Sequence, residues 1–536
     1  MSAAGRNLFS VHSLSRIAPA AFLLLALAIP VSAQDESLGD YARKMRTSKK
    51  QQVLVSAEEG RLLFKSVDEI TQFSSQDSGL PKLATVKRTL IDHAEAERHF
   101  KLLAEVEAQH ERRMDEAALV LKKFGMLPPQ FDLSSALGDS ALSNLAGFYD
   151  FTDKTMYLLN WVPPELQKMV MAHELTHALQ DQSYALRNFV SPHHPPETHR
   201  MSMEKDDSAE LSIARRAVLE GQATLVGLDY TLKDAGINLA TSPRARQLAA
   251  SFLQASYNPP VTIHNAPRLL SEVMIFPYRE GLLFELELLT RGGRQQAFQG
   301  AFKRPPVNTH QILQPEAYFK NERAPFIPIG DLASVFGDAY EAYDSGSIGE
   351  FDVQIMAEDF GRDNDIYTVA RQWNGGSYVA VKRTGLPAGA KLTTADLALV
   401  YLSRWNTRQA AERFGQIYLQ AIAKRLPVGA TTQQRCDQQT CPGPLWEQHA
   451  QSSEGPVNIE LWPGNLLLIT HGVDEARMPA LRPLLLAPAQ PANASLKQPG
   501  AQPELALRLL SKPQIQALSE QAGREILQQL GQLLAH

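Results

Sequence analysis

The chain has 536 residues, 53 of them basic and 58 acidic, for a net charge of −5. Hydrophobic residues make up 44% and charged residues 21%, ordinary globular usage that excludes a wholly disordered chain, a coiled coil and a collagen-like fibre. The slight acidity argues against a nucleic-acid partner, because dedicated binders carry a strong basic excess.

Arg6 and Arg16 precede an apolar run from Ile17 to Pro30, and Val31, Ser32 and Ala33 follow as small residues. This pattern predicts a signal peptide over 1–33, cleaved after Ala33, and a periplasmic or secreted product. The run falls short of the roughly 20 apolar residues of a membrane span, so no stable insertion is expected after cleavage. A polar segment reaches about Gln51, and a strand-like, mixed stretch runs to about Thr89. The Ala-, Glu-, Lys- and Leu-rich stretch from about Asp92 to Lys123 predicts a long helix. Gly147 to Leu159 reads as a hairpin. Pro163 and Pro164 open a helix through about Gln182. Further helices are expected over Ser208 to Ala235, Pro243 to Ala255 and Arg279 to Thr290.

Past about Pro328 the pattern changes. Tyr378 to Lys382, Leu397 to Trp405 and Leu466 to Thr470 read as strands, and Thr407 to Lys424 as a helix. Trp373, Trp405 and Phe414 read as core residues. A Pro- and Ala-rich linker and a Gln- and Leu-rich helix close the chain. The two cysteines, Cys436 and Cys441, suit a small disulfide-closed loop in an exported protein. Asn493 opens a formal glycosylation triplet, expected to stay bare in a bacterial product.

Residues 169–182 read MVMAHELTHALQDQ. His173, Glu174 and His177 form H-E-x-x-H. On a helix, positions i and i+4 share a face, so both imidazoles can bind one metal ion, with Zn²⁺ the usual occupant. Glu174 is then placed to take a proton from a metal-activated water and return it to a leaving amine. A catalytic zinc needs a third protein ligand. Gln180 and Ser183 stand where a metzincin carries Gly and His, which excludes that class. Glu220, in ARRAVLEGQATLV, is the best candidate, because a carboxylate on an inward helix face needs a partner. An ion pair with Arg216, one turn earlier, is the alternative. His193, His194, His199, Glu204 and Asp206 are weaker candidates in a polar loop. Asp181 either orients a ligand imidazole or lies at the surface near the helix end.

These blocks resemble a family of bacterial exported, neutral zinc metallopeptidase-like proteins of the gluzincin type. FGMLPPQFDL, AGFYDFTDKTMYLL, AHELTHALQDQ, LEGQATLV, FPYREGLLF and PPVNTHQILQPEAY occur in order over roughly residues 85–325. The resemblance implies His173, His177 and Glu220 as zinc ligands and Glu174 as the general base. It also implies that the strand before the zinc helix walls the cleft and pairs with an extended peptide, a mode that needs no sequence readout. Members of that family often carry an acid where this chain has Gln222, and Glu where it has His310. Neither departure removes a ligand or the base. His310, Tyr278 and Arg279 are candidates for stabilising the oxyanion, and His310 is the expected one.

The expected fold is α+β. It comprises a mostly helical gluzincin-like domain with a small antiparallel sheet over 34–328, a C-terminal α+β accessory domain over 329–486, and the linker and terminal helix over 487–536. The expected function is an exported zinc metallopeptidase acting on a peptide or protein substrate. The alternatives are a zinc hydrolase of a non-peptide amide or ester, and a non-catalytic zinc-retaining envelope binding or chaperone-like protein.

Overall fold

The computed structural model describes residues 55–106, 117–132, 147–162, 164–190, 207–254, 267–322, 327, 329–330, 332–362, 365–387, 390–436, 443–486 and 513–535. The expected signal peptide, the polar loop with His193, His194, His199, Glu204 and Asp206, and the Asn493 triplet lie outside them. The fold is α+β, with two sheets.

Helix α1 (Ala57–Ser78) replaces the expected strand-like stretch. Leu63, Val67, Ile70 and Ser74 are buried at helical spacing, and that period outweighs the β-branched residues among them. Ser56 and Glu59 form a capping box at its start, and Gly79, at φ 72°, ends it in the left-handed region. Strand β1 (Lys87–Ile91) follows. The long helix expected to Lys123 is described in two parts, α2 (His93–Val106) and a helical stretch over 117–123.

The hairpin forms as read: β2 (Gly147–Asp150) and β3 (Thr155–Leu159) pair antiparallel. The sheet is mixed, however, and not the small antiparallel one expected. β1 lies parallel to β3 on its other side, so β2 has one edge without a partner strand among the described residues. A parallel pair needs a long crossover, and the chain between β1 and β3 includes α2 and β2.

Four helices build the centre: α3 (Pro164–Tyr184), α4 (Asp207–Leu232), α5 (Pro243–Gln254) and α6 (Arg268–Gln295). The expected start of α6 at Arg279 is eleven residues late, since the helix runs through Pro277. Proline costs about 3 kcal/mol inside a helix. Dense burial on both sides, from Leu269 to Phe276 and from Tyr278 to Leu289, offsets that cost. Helices α4 and α6 cross at glycines. A Cβ on Gly221 would lie 2.4 Å from the Gly281 carbonyl, and one on Gly281 only 2.1 Å from the Ala217 oxygen.

The second sheet has seven antiparallel strands in the order β4-β5-β6-β10-β9-β8-β7. They are β4 (Tyr340–Gly346), β5 (Trp373–Arg383), β6 (Leu397–Trp405), β7 (Val428–Arg435), β8 (Trp446–Ser452), β9 (Gly455–Trp462) and β10 (Leu466–His471). Strands β5, β6 and β10 answer to the three expected. The polar β4 and β7 carry little apolar alternation to announce them. On β6, Leu397, Leu399 and Tyr401 join the main core, while Ala398, Val400 and Leu402 join a second cluster with α9 (Met478–Leu486), as the two-residue period of a strand requires. Helices α7 (Glu350–Phe360) and α8 (Arg408–Arg425) fill the space between the main core and the sheet. Trp373, Trp405 and Phe414 are buried there, as expected.

The expected boundary near 328 is not a break in the core. Val226 of α4, Phe284 of α6, Phe351 of α7, Tyr401 of β6 and Ile526 of the terminal helix α10 (Pro513–Ala535) belong to one hydrophobic cluster. Cys436 is disulfide-bonded, and Cys441 lies outside the described residues. No helix among the described residues is long and apolar enough to cross a membrane.

The glycine crossing gives a direct test. Gly281→Ala drives a methyl group into the Ala217 carbonyl and is expected to destabilise the protein by about 1–3 kcal/mol or more, in the range of overpacked cores. Gly330→Ala, where the added atom meets nothing within 4 Å, is expected to stay within about 0.5 kcal/mol. Denaturant unfolding of both variants checks the contrast.

Candidate metal centre

Helix α3 is buried on most of its faces. Val170, Met171, Ala172, Leu175, Ala178 and Leu179 are core residues, and Gln167, Thr176, Gln180 and Asp181 are buried beside them. A helix enclosed this way is a central element, and its polar groups need partners. Gln167 meets that need by donating to the Leu159 and Val162 carbonyls, which ties the end of β3 to the helix start.

The structure brings His173, His177 and Glu220 together. The two Nε2 atoms are 3.1 Å apart, and Glu220 Oε2 lies 3.2 Å from His173 Nε2 and 3.3 Å from His177 Nε2. Two ligands on a tetrahedral zinc at about 2.0–2.1 Å are roughly 3.3 Å apart. The triangle therefore fits the donor set, the size and the geometry of a zinc site with one position left open. No ion pair joins Glu220 to Arg216 among the described residues, and the carboxylate faces the imidazoles instead.

The electrostatics follow from burial and pairing. Burial alone would lower the His177 pKa, but Glu220 outweighs it and lifts the imidazolium to about 9. Burial alone would raise Glu220, yet His177 and His173 hold it well below the carboxylate range. A divalent cation must displace the proton that this pair favours, so binding couples to proton release.

Gln180 orients His177. Its amide nitrogen donates to Gln222 Oε1 at 2.9 Å and to the Leu219 carbonyl at 3.3 Å, which leaves its oxygen to accept from His177 Nδ1 at 2.8 Å. Nδ1 then carries the hydrogen and Nε2 keeps its lone pair for a metal. Gln222 continues the chain, donating to the Ala297 carbonyl at 2.8 Å and reaching Glu285 Oε1 at 3.5 Å. Burial pushes the Glu285 carboxyl well above its ordinary value. The sequence reading assigned no role to Gln180, although its place one turn after His177 was visible.

Asp181 is neither of the two things expected. It is buried, and it holds the hairpin by accepting from Tyr149 Oη at 2.9 Å, Lys154 Nζ at 2.6 Å and the Leu186 N–H at 3.0 Å. The free edge of β2 meets Glu174 directly, because the Tyr149 N–H donates to Glu174 Oε2 at 2.9 Å. Burial lifts the Glu174 carboxyl above its ordinary value, while His173 and His177 oppose the shift. A raised carboxyl pKa is what a general base working near neutral pH needs.

The three expected oxyanion donors separate in space. His310, on the short helix Thr309–Leu313, is paired with Glu350 through Nδ1 at 2.8 Å. Arg279 is buried in ion pairs with Glu272 at 2.8 Å and Glu280 at 2.6 Å. Arg279, Glu280 and Glu350 line a cavity of about 760 Å³ whose described walls include none of the metal group. Tyr278 is the member beside the metal group, its ring centred 6.1 Å from that of His173.

The chain matches no family model, no curated protein and no solved structure.

Purified protein is expected to carry about one zinc per chain, measured by elemental analysis. Glu220→Ala should abolish stoichiometric binding. Gln180→Ala should weaken zinc affinity about 10–100-fold, the usual effect of losing a group that orients a ligand. Competition with a fluorescent chelator measures both.

Proposed function

We propose that this protein is an exported zinc-dependent metallopeptidase of the gluzincin type. The observation that carries the reading is the triangle of His173, His177 and Glu220 with Glu174 beside it, on a helix flanked by a free strand edge. His173 and His177 would hold the metal from α3, and Glu220 from α4. When bound, the ion supplies Lewis-acid chemistry, acidifying a water and polarising a carbonyl. Glu174 accepts the proton from that water and delivers it to the leaving amine. The Tyr149 N–H steadies the carboxylate for this exchange. Tyr278 replaces His310 as the proposed oxyanion donor, because its ring lies beside His173 and His310 is held by Glu350.

The edge of β2 favours a peptide over a non-peptide amide or ester. A strand edge next to the base, whose Tyr149 N–H is held by Glu174, offers its other outward backbone groups to an extended chain and reads no side chain. Export rests on the N-terminal pattern Arg6, Arg16 and Ile17 to Ala33.

Glu174→Gln is expected to keep its zinc and to lose at least about 100-fold in cleavage of a denatured protein mixture. Tyr278→Phe is expected to lower kcat about 100-fold with little change in KM. Cleavage undiminished in Glu174→Gln would refute the assigned base. Zinc binding without cleavage by the wild type under varied conditions would favour the non-catalytic alternative.

A further inference from the structure

The terminal helix α10 lies against the metal centre. Gly523 sits on the Tyr278 ring so closely that a Cβ there would fall 2.1 Å from it. Leu527 fills the notch at Gly227, whose Cβ position is 3.1 Å from Leu527 and 3.8 Å from His173 Cβ. Ser519 Oγ donates to the Met274 carbonyl. Ala522, Ile526, Leu527, Leu530 and Leu534 are buried, as expected of a helix packed on a core.

One turn of the buried face departs from that pattern. Glu520 and Arg524, four residues apart, are half-buried charged groups on that face. Both lie within electrostatic reach of Glu174, and Arg524 also of Tyr278. Glu520 Oε2 is sealed from solvent with no hydrogen-bond partner among the described residues. A helix that served the core alone would place apolar residues there. The side chains of His177 and Glu220 are 13% and 17% exposed and His173 and Glu174 7% as residues, a narrow opening for a polypeptide.

We infer that α10 occupies the substrate face of the metal centre, so that the structure is a self-occluded form and a polypeptide gains access only when α10 moves aside. The inference rests on the metal-centre reading above and adds a regulation of the same site. The charged turn fits this role, since Glu520 and Arg524 set polar groups against Glu174 where a substrate's backbone would otherwise do so.

A reversible staple tests it. A Cβ on Gly531 would lie 3.9 Å from Thr231 Cβ, within the 3.5–4.5 Å or so that a disulfide spans. The Gly531→Cys/Thr231→Cys variant, loaded with Co²⁺, is compared oxidised and reduced, alongside wild type under the same two conditions to control for the native disulfide. The first readout is the rate at which 1,10-phenanthroline strips the ion, followed by the visible absorption of Co²⁺. The expected result is stripping slower by about tenfold or more in the oxidised form, because access requires local opening. Gly523→Leu, which pushes α10 off Tyr278, is expected to strip faster than wild type and provides a second route if the staple does not close. Equal stripping rates in the oxidised and reduced forms, or an unchanged rate in Gly523→Leu, overturn the inference. The second readout is cleavage of a denatured protein. Loss of cleavage on oxidation and its return on reduction support occlusion, whereas cleavage retained in the stapled form makes α10 a fixed wall and overturns it. Stripping controlled by the staple with no cleavage in any form leaves the occlusion standing and removes the peptidase reading.

Discussion

A half-buried carboxylate set against two imidazoles is the constraint around which the helical half is organised. Glu220 sits between the apolar Val218, Leu219, Ala223 and Leu225 on a helix enclosed by others. An unpaired charge there would be costly to bury, so α3 must deliver two ring nitrogens to within hydrogen-bonding distance. Helices α3 and α4 can keep those distances only if α4 is fixed from behind. The crossing of Gly221 over Gly281 does this, with backbone packed on backbone and no side chain between. The residue after Glu220 is glycine for that reason.

The polar groups around the triangle are satisfied in a connected order. His177 gives its hydrogen to Gln180, Gln180 gives one to Gln222, and Gln222 reaches Ala297 and Glu285. Each link fixes the orientation of the one before, so a ring nitrogen on α3 is set by groups on α4 and α6. On the other side of α3, Asp181 binds Tyr149 and Lys154, which holds the β2–β3 hairpin so that the Tyr149 N–H meets Glu174. One helix thus couples ligand orientation on one face to the position of the strand edge on the other.

The same core extends into the seven-stranded sheet and the terminal helix. Strand β6 is buried on both faces, and α7 and α8 join it to α6. The sheet region and the helices therefore depend on a single hydrophobic cluster. Helix α10 joins that cluster and brings Glu520 and Arg524 within electrostatic reach of Glu174, although about 300 positions of chain separate them from Glu220.

Much of this was legible in the residues themselves. The H-E-x-x-H spacing puts two imidazoles on one helix face by helical geometry alone. The alternation of GFYDF and TMYLL announces a hairpin, and the apolar neighbours of Glu220 mark it as a buried acid in want of a partner. Other features depend on contacts between distant segments, which no local pattern encodes. The parallel pairing of β1 with β3 turned an antiparallel sheet into a mixed one. Tertiary burial carried α6 through Pro277 against its local preference. Asp181 and Gln180, neighbours in sequence, meet different partners, and only the packing decides that Gln180 is the one that bonds His177. The sequence by itself determined that His173 and His177 share one face, because their spacing is a property of one helix. The tertiary structure decided what surrounds them, because Tyr278, the edge of β2 and the terminal helix reach the site from separate parts of the chain.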